Sequence, residues 1–404
     1  MFALKLNFFQ KTIFILYSFS FFLNIFLREF EFLPYYKFEV FYLHILLYFG
    51  LVVLLISIFR HLNTAYIVNF FLKIRVSSLS EVFLVLTASV LVLAYALATP
   101  VFLGAIEYSA NDLKELAFID HHRSLPIYQR IPLNIIGYFS YTFVLFHIFY
   151  FLSFIHPTKY RFSRMFYLLG SLAGVFNELL VGGRTMFIYW LLSIVTMYMF
   201  VSWNFTDYIN TKKIRIRLFF ILIPLFFYFA IISIDRFANS YSGETDFDTV
   251  VSLIEYGGMG FYQFSNYLTS FDHRTHTFGR VFPILHDIIN EEKFDLLKYR
   301  NSVNVDLSVF STMFGDLYID LGLFGVIGFL IFLLSIIFFT RKLKLFNLLR
   351  VFIFFYLFNI CIQGIFYFSL WNKSSRIGFF VSLAIILIVR LIDNYGISHN
   401  RKLQ

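Results

Sequence analysis

The sequence predicts an all-α, polytopic integral membrane protein, and three observations carry that reading. Only 14% of its 404 residues are charged while 59% are hydrophobic, against roughly one-quarter charged in an ordinary soluble domain. Continuous apolar runs of about 20 residues recur along the chain, and each is long enough to cross a bilayer as a helix. A β-barrel is excluded because its strands would alternate apolar and polar residues. The third observation is that the basic residues are not scattered: they concentrate in alternate loops.

About ten spans follow, at roughly 10–27, 38–59, 82–105, 133–155, 165–181, 185–203, 218–234, 313–339, 349–370 and 377–392. The first resembles a signal peptide, with Lys5 and Lys11 before it, but no small-residue cleavage site follows, so it reads as a retained helix. An even number of spans places both termini on one side. The loops there carry "KIR" at 73–75, "KYRFSR" at 159–164, "KKIRIR" at 212–217 and "RKLK" at 341–344. That side holds 19 Lys/Arg against 3 acids, and the other side 14 against 21. The positive-inside rule makes the first side cytoplasmic. The formal net charge of +9 is then mainly an orientation signal, and no nucleic-acid partner is needed to explain it.

The chain reads as a single transmembrane domain over 1–404, with external loops at 106–132 and 235–312. The second contains "LIEYGGMGFYQFSNYL" (253–268), read as an amphipathic or re-entrant element at the outer interface. Gly170 with Gly174, and the row Gly322, Gly325 and Gly328, read as small-residue stripes for close helix packing. Pro224 predicts a kink within the seventh span. One cysteine, Cys361, excludes a disulfide framework within the chain. The sixty Phe residues are not read for function.

The polar residues of the external side carry the functional reading. "NELLVGGRTMFIYWLL" (177–192) places Gly182 and Gly183 at a turn, with Arg184 at the start of the sixth span. Helix N-termini attract anions through unpaired N–H groups and the helix dipole, and a guanidinium adds a bidentate phosphate fork. The ordinary alternative for Arg184 is snorkelling to lipid headgroups. Glu178 lies nearby as a potential partner for it. On the same side are Asp235 and Arg236 at the end of the seventh span, Arg274, His276 and Arg280 in "FDHRTHTFGR" (271–280), and Asp316, Tyr318 and Asp320 in "STMFGDLYIDLG" (311–322). Those aspartates would favour a helix N-terminus whatever their chemistry. Taken together, cations and carboxylates bordering one outer cavity suit a lipid-linked pyrophosphate with sugar chemistry beside it.

"VGGRTMFIYWLL", "TFGRVFPILHDII" (277–289) and "FSTMFGDLYIDLGLFGVIGFLIF" (310–332) resemble the bacterial O-antigen polymerases, the Wzy-type oligosaccharide repeat unit polymerases. The resemblance covers about the second half of the chain, and GDLYxDxGxxG after a large outer loop is its most specific part. It implies a helical architecture of the GT-C type. It also implies transfer of a glycan from undecaprenyl pyrophosphate to the non-reducing end of a new lipid-linked repeat unit, in O-antigen, lipopolysaccharide or capsule synthesis at the outer face of the inner membrane. No cofactor or metal is expected: the nearest acidic pair, Asp246 and Asp248, lies in the exposed-looking segment "GETDFD". The implied partners are the undecaprenyl-pyrophosphate-linked oligosaccharide, membrane lipids and a chain-length regulator.

In that chemistry Arg184, Arg236, Arg280 and Arg274 would hold the pyrophosphate and stabilise its developing charge. His276, Asp235, Glu178 and Asp316 are unranked candidates for the group that takes the acceptor proton. Tyr318 and Asp320 would contact the sugar. An O-antigen ligase is the rival within the class. A lipid-linked oligosaccharide flippase or exporter is the rival outside it, and would place charges near the bilayer midplane.

Overall fold

The computed structural model describes residues 6–29, 42–61, 64–106, 126–156, 162–179, 185–238, 247–270, 279, 282, 286–288, 312–343, 345–369 and 373–402, and within them the side chains at 27–29, 102–106, 179, 228, 232–238, 247–257, 373 and 396–402 are not described. Among the described residues every regular element is helical and there is no strand. The chain is an all-α polytopic membrane protein. Seven of its helices are long and apolar enough to cross a bilayer.

In chain order the helices are α1 (Phe8–Glu29), α2 (Tyr42–Arg60), α3 (Thr64–Lys73), α4 (Ser78–Ile106), α5 (Ile127–Phe139), α6 (Phe143–Ile155) and α7 (Ser163–Gly170). They continue as α8 (Ala173–Leu179), α9 (Thr185–Asn204), α10 (Thr211–Ala238), α11 (Phe247–Ser270), α12 (Met313–Lys342), α13 (Asn347–Gln363) and α14 (Lys373–Lys402). Two compact units divide the chain. One comprises Met1–Ile67, Val250–Leu345 and Tyr356–Asn372, the other Val68–Thr249, Phe346–Phe355 and Lys373–Gln404.

Seven expected spans fall on the seven helices of crossing length, one of them interrupted at Gly322, and three do not. The stretch 133–155 is the pair α5 and α6, bent by 71°. At the bend Ser140 Oγ donates to the Ile136 carbonyl and Thr142 Oγ1 to the Phe139 carbonyl. Such local hydroxyl bonds compete with the helical ladder and favour bending. The stretch 165–181 is broken into α7 and α8 at Ser171 and Leu172. There Ser171 Oγ donates to the Leu168 carbonyl and accepts from the Trp190 indole. The stretch 349–370 is the 17-residue α13, which ends in a turn at Gly364. Hydropathy averaged over a window does not register a single hydroxyl that turns back on the backbone. Within the stretch 106–132, α5 begins at Ile127 and runs through Pro132. Similarly, α10 continues through Pro224 as one helix.

Two glycine readings change. Gly170 and Gly174 fall on different helices, so they are not one GxxxG stripe. Each is still a close approach, Gly170 to the Phe146 ring and Gly174 to the Ser140 carbonyl. In α12 the expected stripe is replaced by a hinge. Gly322 has φ 68° and ψ −176°, which interrupts the helix. Leu321 packs over Gly325 from the same chain, and nothing lies within 4 Å of a Cβ at Gly328. The segment from Met313 to Leu321 is therefore a helix of about two turns, and the long apolar helix follows it.

Within the first unit α1 packs on α2, and α2 on α12. The start of α1 is a reciprocal cap: Asn7 N–H donates to Gln10 Oε1, and Gln10 N–H to Asn7 Oδ1. The same two side chains donate to the Phe59 and Ile56 carbonyls of α2. In the second unit α4 packs on α5 and α7, α6 on α7 and α9, and α14 on α4 and α5. Asp393 of α14 accepts from Ser77 N–H and Ser80 Oγ at the head of α4. Several arginines, some of them in the basic segments singled out in the sequence, meet aromatic rings. Arg164 and Arg217 lie over Phe154, Arg350 over Phe70, and Arg390 over Phe346. In the first unit Arg341 lies over Tyr66 and donates to the His61 carbonyl.

The hinge is testable with two alanines in one helix. Gly322→Ala forces a Cβ into a backbone region that only glycine adopts readily, at about 1–3 kcal/mol. Gly328→Ala meets no neighbour and raises helix propensity. Thermal unfolding of the purified protein should show a lowered midpoint for Gly322→Ala and an unchanged or raised one for Gly328→Ala. Equal midpoints would remove the hinge.

Candidate functional site

The segment singled out as "STMFGDLYIDLG" is built on helix ends. Thr312 caps α12, and its hydroxyl accepts from Gly315 N–H at 3.3 Å. Met313 N–H has no intrahelical acceptor and donates to the Gly364 carbonyl at 2.7 Å. Asp316, in the first turn, accepts the Phe368 N–H on Oδ2 at 2.7 Å. Thus the start of α12 and the turn after α13 satisfy one another's backbone groups. Tyr17 of α1 adds a third tie, its hydroxyl donating to the Cys361 carbonyl at 2.9 Å in the last turn of α13.

Every residue from Thr312 to Asp320 is buried. Asp316 is 5% exposed, Tyr318 5% and Asp320 1%. Asp316 and Asp320 are four apart and share one face of the short helix. Beyond Gly322 the helix turns outward, and Phe324 is 91% exposed, as suits a lipid-facing position.

The glycine-rich element at 253–268 packs onto this segment. It lies within α11, and its half from Gly258 to Tyr267 is largely buried within the first unit. A Cβ at Gly258 would stand 2.8 Å from the Asn24 amide nitrogen of α1. One at Gly260 would stand 2.6 Å from the Ile365 carbonyl oxygen and 3.1 Å from the Thr312 methyl. Phe261 meets Phe21 and Tyr48 edge-on, with ring centroids 5.0 Å away in both cases. Phe314 joins the cluster through Tyr17 and Tyr48. His44 of α2 shares a 2.7 Å hydrogen bond with Ser265. His44 and Ser265 were not among the sequence candidates. Their signal was a histidine inside an apolar run, which demands a partner.

Of the sequence candidates, the structure brings together Asp316, Tyr318 and Asp320. Glu178 lies on α8 in the second unit, half-buried and engaged in an interaction. Asp235 and Arg236 are in the last turn of α10, where only the backbone is described. Arg184, Arg274, His276 and Arg280 lie outside the described residues. The helix that follows in the sequence begins at Thr185. Among the described residues no three His, Cys, Asp or Glu side chains group as metal ligands would. Asp246 and the Asp248 side chain are outside that set.

Comparison with protein families, characterised proteins and solved structures finds no match to this chain.

The packing makes Gly260 a test of the site's construction. Gly260→Ala must push the Ile365 carbonyl or Thr312 aside, and overpacking of this kind costs about 1–3 kcal/mol. Thr312→Val keeps the volume but removes the cap, at about 1 kcal/mol. Each should lower the unfolding midpoint, Gly260→Ala by more. A neutral Gly260→Ala would show that α11 does not press on the cap.

Proposed function

We propose that this chain is a glycosyltransferase that polymerises lipid-linked oligosaccharide repeat units. It takes a glycan from undecaprenyl pyrophosphate and transfers it to the non-reducing end of a new repeat unit, during O-antigen or capsular polysaccharide synthesis. It lies in a bacterial inner membrane with both termini cytoplasmic. The observation that carries this reading is the GDLYxDxG segment. It is a buried helix of about two turns, capped by Thr312, tied to a second chain break and ended by a left-handed glycine. The part of the sequence most specific to the resemblance is thus a capped, buried helix at the head of a long apolar one. The orientation rests on the basic loops.

The chemistry assigns roles by charge. The leaving group is a pyrophosphate, so fixed cations lower the barrier by stabilising charge as the glycosidic bond breaks. Arg184, Arg236, Arg274 and Arg280 take this part. The acceptor hydroxyl gives its proton to His276, Asp235 or Glu178. Asp316 is less suited to that task, because one of its oxygens holds the Phe368 amide. Its part is to position backbone.

The test uses cells lacking the protein, complemented with variants at matched membrane levels. Loss of a polymerase leaves single repeat units on the lipid A core, whereas loss of a ligase leaves the core bare. Arg184→Ala should reproduce the single-unit pattern. Removing one cation from a phosphate site raises a barrier by about 3 kcal/mol, roughly a hundredfold in rate. Arg184→Lys should restore chain length only in part, because an ammonium lacks the bidentate fork. A merely snorkelling side chain would be replaced fully by lysine. Full-length glycan from Arg184→Ala would reject its phosphate role, and a bare core in the deleted cells would reject the polymerase.

A further inference from the structure

The second unit holds a cleft that the proposed reaction does not use. It is open, of about 380 Å³, between α6, α7 and α10, and is lined by Tyr150, Arg164, Met165, Leu168, Arg217, Phe220 and Ile221. Two guanidiniums share one ring there, with Arg164 Cζ 4.5 Å and Arg217 Cζ 5.7 Å from the Phe154 centroid. Arg164 spends Nε and Nη2 on the Ser153 carbonyl, which leaves Nη1 over. Among the described residues neither arginine has a carboxylate partner. Burial and the Arg217 charge both work against the protonated form of Arg164. Two like charges held this close call for an anion.

A second, independent feature points to the same ligand. The Tyr150 side chain is 1% exposed, and its hydroxyl has no hydrogen-bond partner among the described residues. It lies within electrostatic reach of both guanidiniums. A buried hydroxyl without a partner costs about 1–3 kcal/mol, and a phosphate oxygen would accept its proton. Beside these polar groups the walls are apolar and face outward. Met165 is 57% exposed and Phe220 73% exposed, on helices beside the basic segments 159–164 and 212–217.

We propose that this cleft binds a phosphate ester, the headgroup of an anionic phospholipid, with Arg164, Arg217 and the Tyr150 hydroxyl on the phosphate and the acyl chain along Phe220 and Ile221. Basic pockets between membrane helices recognise such headgroups by paired donors, and a single surface charge does not give the same selectivity.

Native mass spectrometry of the full chain in detergent tests this, with dioleoyl phosphatidylglycerol and phosphatidylethanolamine offered at equal concentration. One phosphatidylglycerol should be retained preferentially. Arg217→Gln should reduce that retention about tenfold, equivalent to about 1.4 kcal/mol. Arg217 is exposed and ties no backbone, so this variant should fold normally, whereas Arg164 variants also lose the Ser153 contact. Tyr150→Phe should weaken retention without altering preparation yield. Lys212→Gln with Lys213→Gln, on the same basic segment outside the cleft, should leave it unchanged. Inorganic phosphate supplies the second arm. If millimolar phosphate stabilises the wild type but not Arg217→Gln, and the two lipids are retained equally, the phosphate site stands with a soluble ligand. Equal retention of the two lipids without phosphate stabilisation would overturn the site. So would a loss in the double lysine variant as large as in Arg217→Gln.

Discussion

Two helix ends that meet away from water must satisfy each other, and the first unit is arranged around that constraint. A helix leaves four amides at its start and four carbonyls at its end without partners. Inside a packed membrane protein each such group costs about 1–3 kcal/mol if nothing replaces water. At the start of α12 and the turn after α13 the replacements are protein groups. Gly364 takes the Met313 amide, Asp316 takes the Phe368 amide, Thr312 takes the Gly315 amide, and Tyr17 supplies a donor to Cys361. The negative charge of Asp316 in the first turn is further favoured by the helix dipole. This is a reason for an aspartate at 316 that precedes any catalytic one.

The same constraint explains the glycines around it. Bonds of this length require backbones to approach closely. A Cβ at Gly364 would stand 2.7 Å from the Tyr17 hydroxyl and 2.8 Å from the Met313 sulfur. Gly260 leaves room for the Ile365 carbonyl, and Gly258 for the backbone of α1. Gly322 lets the chain leave the buried turn and begin the lipid-facing helix in a new direction. Hydrophobic burial contributes little to helix association in lipid, so close approach and hydrogen bonds must carry it. Polar ties such as His44 with Ser265, and His147 with Ser193 at 3.0 Å, are distributed accordingly.

Much of the architecture was legible in the sequence, because an apolar run of bilayer length has few alternatives. Seven spans came from length and composition alone. The breaks at 140–142 and 171–172 were not legible. At them the Ser140, Thr142 and Ser171 hydroxyls bond to nearby carbonyls, but Ser57 and Thr87 make the same kind of bond within the unbroken α2 and α4, so a serine or threonine in an apolar run does not announce a break. Gly322 was misread because spacings of three also describe a helix face, and spacing does not reveal a positive φ. Asp316, Tyr318 and Asp320 were found because charges beside a membrane helix stand out. The tie from Asp316 to Phe368 joins residues 52 apart, so no local pattern announces it. The half-buried basic cleft was also hidden, since Arg164 and Arg217 read as members of two separate topogenic loops.

The central physical claim is that the Asp316 carboxylate holds the chain break after α13 in place. Hydrogen–deuterium exchange of the purified protein, read at peptides covering residues 364–369, measures it directly. A charge-assisted hydrogen bond contributes about 1.5–3 kcal/mol, and about 1.4 kcal/mol is a factor of ten in an equilibrium. The Phe368 amide should therefore exchange slowly in the wild type and about 10- to 100-fold faster in Asp316→Ala. Rapid exchange in the wild type, or identical exchange in the two proteins, would contradict the account.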